Sequence, residues 1–154
     1  MDINELLRQE KSLIFPHFDN DDAWMLGNLL VDKARAQGAK VAISIERAGQ
    51  VLFQYQFEGT TPDNDRWVAG KRRVVNLFHH SSLFVKERLT AKNAKNMDEG
   101  FFLDSKQYMA AGGSVPLAVK GAGIVGSVTV SGLTGEEDHQ LAVDGMTAYL
   151  STLK

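Results

Sequence analysis

Lys71 is the residue most at odds with its surroundings in this sequence. With about 100° between successive residues of a helix, it falls beside Trp67, Val74 and Phe78, inside an otherwise apolar stripe. A lysine there must snorkel, pair with a carboxylate or face a cleft, because an unpaired buried charge is costly. Facing a cleft, it would anchor a ligand carboxylate or phosphate; otherwise it serves an ion pair or a subunit contact. Arg72, Asn76 and His79 form a neighbouring polar row on the same helix, and Arg72 suits bidentate recognition of a carboxylate. Trp67 would supply an aromatic wall. Lys71, Arg72, Trp67 and His79 are therefore the candidate ligand-binding residues, and a small anionic ligand is what they fit. Ser44, Gln54, Ser127 and Thr129, at polar positions of predicted strands, could line the same pocket if their faces converge.

Other chemistries find less support. The histidines are His17, His79, His80 and His139, and no two are three or four residues apart, so no helical metal-binding pair exists. One histidine would suffice to ligate haem, though a surface or packing role explains each. Ser81-Ser82 follows two histidines, but no Gly-x-Ser-x-Gly elbow occurs and helix termination accounts for the pair. Asp19, Asp21 and Asp22 lack the glycine and terminal glutamate of a calcium loop and read as helix-capping residues. Gly121-Ala122-Gly123 reads as a hairpin turn, since neither a phosphate loop nor a dinucleotide fingerprint is present.

These residues need a frame. Ile3 to Ile14 has the spacing of a short amphipathic helix, stopped by Pro16. Asp19-Asn20-Asp21-Asp22 starts a second, with Ala23, Gly27, Leu30, Val31 and Ala34 on one face and Gly38 at its end. Val41, Ile43 and Ile45, then Val51, Phe53, Tyr55 and Phe57, alternate with more polar residues around Ala48-Gly49, which predicts a hairpin. A helix is predicted from about Asp65 to His80, with Trp67, Gly70, Val74, Leu77 and Phe78 as its buried stripe, and a further helical piece over Leu83 to Leu89. Residues 90–107 are weakly periodic, and so long a connection often covers a site or an interface. A second hairpin spans Gly112 to Leu133, and Thr134-Gly135-Glu136-Glu137 is a capping box for a closing helix. A fifth strand is expected near Phe101 to Asp104 or Tyr108 to Ala110. The order predicts an α+β chain with a mainly antiparallel sheet flanked by helices.

At 154 residues the chain is expected to form a single domain over 1–154. A net charge of -2 gives no reason to expect nucleic acid or an anionic membrane as partner. The sequence contains no cysteine, which excludes disulfides and thiolate chemistry and fits a reducing compartment. No apolar run is long enough to span a bilayer and the first residues are polar, so a cytoplasmic location is expected.

Gly112-Gly113-Ser114-Val115-Pro116, the Gly126-x-Val128-x-Val130-Ser131-Gly132 strand and Asp138 to Ala142 resemble the GlcG/HbpS-like haem-degrading domain family. Trp67-x-x-x-Lys71-Arg72, Phe78 and Ser81-Ser82 look like its smaller, largely uncharacterised branch. The resemblance runs from about Asp19 to Leu150. It implies a profilin-like α-β-α sandwich, a homo-oligomer of at least two copies, and haem as a candidate cofactor, but it carries no haem-ligating residue onto this chain. Two functions follow as expectations. One is a small-ligand-binding domain with a pocket anchored by cationic side chains. The other is a non-enzymatic assembly or adaptor protein in which Lys71, Arg72 and the 90–107 segment form subunit contacts.

Overall fold

The computed structural model describes residues 1–153. Helices α1 (Ile3–Ser12), α2 (Asn20–Ala36), α3 (Pro62–Phe78), α4 (Ser82–Ala91), α5 (Met97–Phe101) and α6 (Gly135–Thr152) surround one sheet. Its strands are β1 (Ile14–Phe15), β2 (Ala42–Arg47), β3 (Gln50–Gln56), β4 (Ser114–Val119) and β5 (Gly123–Ser131), in the order β1-β4-β5-β2-β3. All pairings are antiparallel except the short parallel contact of Ile14 and Phe15 with Ala118 and Val119. This is the expected α-β-α sandwich.

The two faces of the sheet differ in chemistry, and the difference decides what each can hold. Ile43, Ile45, Val115, Leu117, Val128 and Val130 point into one apolar core with Leu26 and Leu30 of α2 and Leu141, Ala142 and Met146 of α6. The alternate residues Ser44, Glu46, Ser114, Ser127 and Thr129 point the other way, and α3 lies over them, so all five are buried. A second apolar cluster sits beyond that face, where Leu6 of α1, Val74 of α3, Leu83 and Phe84 of α4 and Met97 of α5 meet.

Local capping follows the sequence closely. Asp19 accepts from the Asp22 amide at 2.9 Å and Asp22 accepts from the Asp19 amide at 2.8 Å, closing the capping box of α2. Asp22 also accepts from Tyr149 of α6 at 2.5 Å and contacts His17 at 3.0 Å, so the start of α2 is tied to the far end of α6. Burial alone would raise the Asp22 carboxyl; the hydrogen bonds from Tyr149, the Asp19 amide and His17 outweigh it and hold the group below its usual value. Thr134 and Glu137 form the box of α6.

Three expectations need correction. The fifth strand is Ile14–Phe15 rather than a segment near 101–104 or 108–110: two residues after a helix are too few for an alternating pattern to show. The 97–101 stretch winds into α5, with the Asn96 side chain accepting from the Glu99 amide, and Met109 is held to α3 by donating its amide to the Gly70 carbonyl at 3.1 Å. Helix α3 begins at Pro62, with Thr61 as cap and proline in the first turn, three residues before the expected start. Its covered face is also rotated. Val68, Gly70, Lys71, Val74 and Val75 are buried, while Leu77 is 52% exposed. The apolar stripe misleads because α3 covers a sheet face made of serine, threonine and glutamate.

His139 on α6 is buried, with Nε2 at 2.7 Å from Gln9 Oε1 and no partner for Nδ1. Burial lowers its pKa to about 4. A histidine held neutral contributes stability above its unfolded value near 6.5, and that contribution fades as pH falls toward 4. Urea denaturation is expected to show about 3 kcal/mol less stability at pH 4 than at pH 7 from this group. His139→Gln should flatten that part of the pH dependence; an unchanged slope in the variant would refute the assignment.

Candidate functional site

Lys71 faces inward from the third turn of α3 toward the end of β5 and the first turn of α6. Its Nζ donates to Asp138 Oδ2 at 3.0 Å and to the Val130 carbonyl at 3.2 Å. Asp138 also accepts from the Leu133 amide at 2.9 Å and the Gly132 amide at 3.3 Å, so the carboxylate organises the turn that leads into α6. Both side chains are almost fully withdrawn from solvent. Burial pushes the Lys71 ammonium down and the Asp138 carboxyl up, and their mutual attraction recovers only part of that cost.

The glycine pair ahead of β4 is shaped by this contact. Gly113 adopts φ +138°, its carbonyl oxygen accepts from the Val130 amide at 2.9 Å, and it lies so close that a Cβ there would sit 2.7 Å from Lys71 Nζ and press into the Val130 carbonyl. Gly112 backs onto the Gly135 carbonyl in the same way.

Three shallow cavities adjoin this junction, all touching Ala111. The first, about 380 Å³, lies between α3, α4 and the 105–111 segment. Trp67 and Tyr108 give it aromatic walls, Leu89, Met97 and Met109 an apolar floor, and Lys86 and Lys95 its charges; no carboxylate lines it. The second, about 320 Å³, shares Trp67 and Ala111 and has the Lys71–Asp138 pair at its base, with Asp63 at its edge. The third, about 340 Å³, runs from Leu83 and Lys86 to Glu136.

Of the predicted site residues, Trp67 and Lys71 therefore share a cavity, and Lys71 has its charge matched by Asp138. Arg72 turns to the sheet, with Nη1 3.5 Å from Ser44 Oγ. His79 occupies the left-handed cap of α3 at φ 58° and is exposed. Neither lines these three cavities. Ser44, Ser127 and Thr129 lie buried under α3, and Gln54 is exposed and bonded to Asp65 at 3.0 Å. The Ser81 hydroxyl caps α4 through the Phe84 amide at 3.1 Å, and Ser82 Oγ accepts from the Ser114 amide at 3.0 Å, so both are engaged in structure. Among the described residues no group of three His, Cys, Asp or Glu is arranged to hold a metal ion.

Tyr108, Lys86 and Lys95 carry no sequence signal as site residues, because they come from α4 and a non-periodic connection. The length of that connection was the one available hint. Asp138 stands in the capping region of α6, where a carboxylate is expected for other reasons.

The family model described as "Haem degrading protein HbpS-like" matches residues 18–147. The chain belongs to the HbpS-like family. This HbpS-like chain is 49% identical over 148 residues to UPF0303 protein SCO2848 of Streptomyces coelicolor, covering 96% of the chain and 93% of that relative. It is 40% identical over 149 residues to a UPF0303 protein of Serratia proteamaculans, covering 97% and 92%. Among solved structures it resembles the Ybr137w protein, with a TM-score of 0.91 and 31% identity over 99% of this chain and 89% of that one. HbpS itself (TM-score 0.68, 19% identity, 87% and 90% covered) and a PduOC:haem complex (0.71, 18%, 86% and 94%) share the fold.

The family name raises haem, and the residues of this HbpS-like chain can be tested for it. His17 contacts Asp22, His80 contacts Glu10 at 2.8 Å and stacks on Phe84, His139 is buried against Gln9, and His79 faces solvent. None lines the three cavities, so a histidine-ligated haem does not fit them.

Lys71→Met is expected to cost about 3–5 kcal/mol, because it leaves Asp138 buried without its cation. Lys71→Met combined with Asp138→Asn should lose less, since an asparagine oxygen can still accept from Leu133. With Asp138→Asn alone completing the cycle, a double-variant loss equal to the sum of the two single losses in urea denaturation would show that the pair is not coupled.

Proposed function

We propose that this chain is a small-ligand-binding domain whose ligand is a compact, acidic aromatic molecule held between Trp67 and Tyr108. The observation that carries this reading is the charge of the first cavity. Its aromatic and apolar lining is joined by Lys86 and Lys95 with no carboxylate among the lining residues. Apolar walls with a few convergent polar groups are the usual make-up of a small-molecule site. A flat ring between Trp67 and Tyr108 would gain stacking and area burial, and an anionic substituent would gain the lysines. The cationic anchors are then Lys86 and Lys95, with Lys71 at the base of the adjoining cavity as part of the frame. Arg72 and His79 would act on the ligand only through a change in the position of α3.

Haem belongs to this reading as an alternative occupant. With no histidine in the cavities, Tyr108, Met97 and Met109 are the lining side chains of the first cavity with donor atoms of the kinds that ligate haem iron. Self-association is part of the reading too. Trp24, Met25, Tyr55 and Phe102 leave more apolar surface exposed than the fold uses, Phe102 being 93% exposed. No helix among the described residues is long and apolar enough to cross a membrane. The lack of cysteine suits a reducing, cytoplasmic setting.

The test uses 1-naphthoate and hemin on protein carrying Trp24→Phe, so that Trp67 is the only tryptophan fluorophore. Saturable quenching by 1-naphthoate is expected, weakened about tenfold by Lys86→Gln and again by Lys95→Gln. No quenching at millimolar 1-naphthoate would refute the acidic-aromatic reading. A stoichiometric Soret band with hemin, lost in Tyr108→Phe, would assign the cavity to haem instead.

A further inference from the structure

Strand β3 ends the sheet, with one side of its backbone unpaired. Natural sheet edges are guarded by charged side chains, proline or bulges, because a bare edge is a template for another strand. Residues 50–57, Gln-Val-Leu-Phe-Gln-Tyr-Gln-Phe, contain neither charge nor proline. The strand's one irregularity lies opposite Ile45 and Glu46, where Leu52 is the extra residue, and from Phe53 onward the pairing is regular. That regular part runs to Gln56, and with the buried Phe57 that follows it reads Phe53-Gln54-Tyr55-Gln56-Phe57, the same in both directions.

A palindromic strand is self-complementary in antiparallel pairing. A two-fold axis at Tyr55 would set Tyr55 against Tyr55 of the second copy, Gln54 against Gln56, and Phe53 against Phe57. The side chains are already disposed for it. Tyr55 is 39% exposed beside Phe57, with ring centroids 5.3 Å apart, and Trp24, itself 64% exposed, stands 6.0 Å from Phe53 on the same face. Gln54 and Gln56 both reach Asp65 on the opposite face, which leaves the α2 side aromatic and the α3 side amide-lined. An isologous contact of this kind closes on itself as a dimer.

We propose that two copies of this chain pair through β3 about a two-fold axis at Tyr55, joining their sheets into one of ten strands. This rests on the reading that the chain self-associates and names the surface that does it. The apolar edge is then the partner's seat, and the missing protection of the strand is explained.

The absence of cysteine makes a direct test available. Residues directly opposed across an antiparallel pair have Cα atoms about 4.5–5.5 Å apart, within disulfide reach, whereas diagonal neighbours are about 7–8 Å apart. Under mild oxidation Tyr55→Cys should form a disulfide-linked dimer on its own. Gln54→Cys and Gln56→Cys should cross-link efficiently only when mixed. Leu77→Cys, exposed on α3, serves as the control. Tyr55→Lys, which sets two lysines face to face, should raise the dissociation constant by about a hundredfold or more in sedimentation experiments, with an unchanged circular dichroism spectrum. A monomeric mass for the native chain at about 100 μM would overturn self-association altogether. An oligomer that resists Tyr55→Lys, or a Tyr55→Cys variant that cross-links no better than Leu77→Cys, would overturn the β3 interface while leaving self-association standing.

Discussion

Lys71 carries its charge into the interior at the point where α3, the end of β5 and the start of α6 converge, and Asp138 meets it there at 3.0 Å. Two ions taken out of water repay their desolvation only if the remaining hydrogen-bonding capacity is also satisfied. Here much of it is: Lys71 also reaches the Val130 carbonyl, and Asp138 takes the amides of Gly132 and Leu133. The consequence is positional. Helix α3 covers a sheet face of small polar residues, where hydrophobic packing specifies little, so a paired charge at one point supplies the register that an apolar seam would supply elsewhere. Gly113 has no side chain because the pair needs the space.

This division of labour explains what was legible in the sequence. Alternation in Val41, Ile43 and Ile45 and in Val128 and Val130 marks the strands because one sheet face meets the oily sides of α2 and α6. Caps at Asp19 and Thr134 are local chemistry, and a local reading finds them, whereas Ser81, expected to end one helix, caps the start of the next. The covered face of α3 escapes, since periodicity assumes that the hidden side is apolar. Trp67 and Leu77 look like core residues by that rule, yet Trp67 lines cavities and Leu77 meets solvent. The anomaly of Lys71 is legible as a demand for a partner; which carboxylate answers it is set by tertiary structure across 67 residues of chain.

The candidate site was less legible than the fold. Its walls come from α3, α4 and the 105–111 segment, which meet only after the sheet is formed. Tyr108 and Met109 are brought to it because the Met109 amide binds the Gly70 carbonyl, a contact with no pattern in composition or spacing. Gly70 matters for the same reason: a Cβ there would lie 2.6 Å from the Met109 sulfur, so the segment can approach α3 only where the helix has no side chain.

The frame and the site thus draw on different parts of the chain. The Lys71–Asp138 pair fixes α3 against β5 and α6, and Trp67, one helical turn earlier on α3, inherits that fixed position. The opposite wall is a connection with a short helix and turns, and connections are where sequence can change without disturbing a core. Members of one family can then share a sheet and its helices while differing in the chemistry of this wall. On that argument a family name taken from haem specifies the frame, and it leaves open the chemistry of the wall between Lys86 and Ala111.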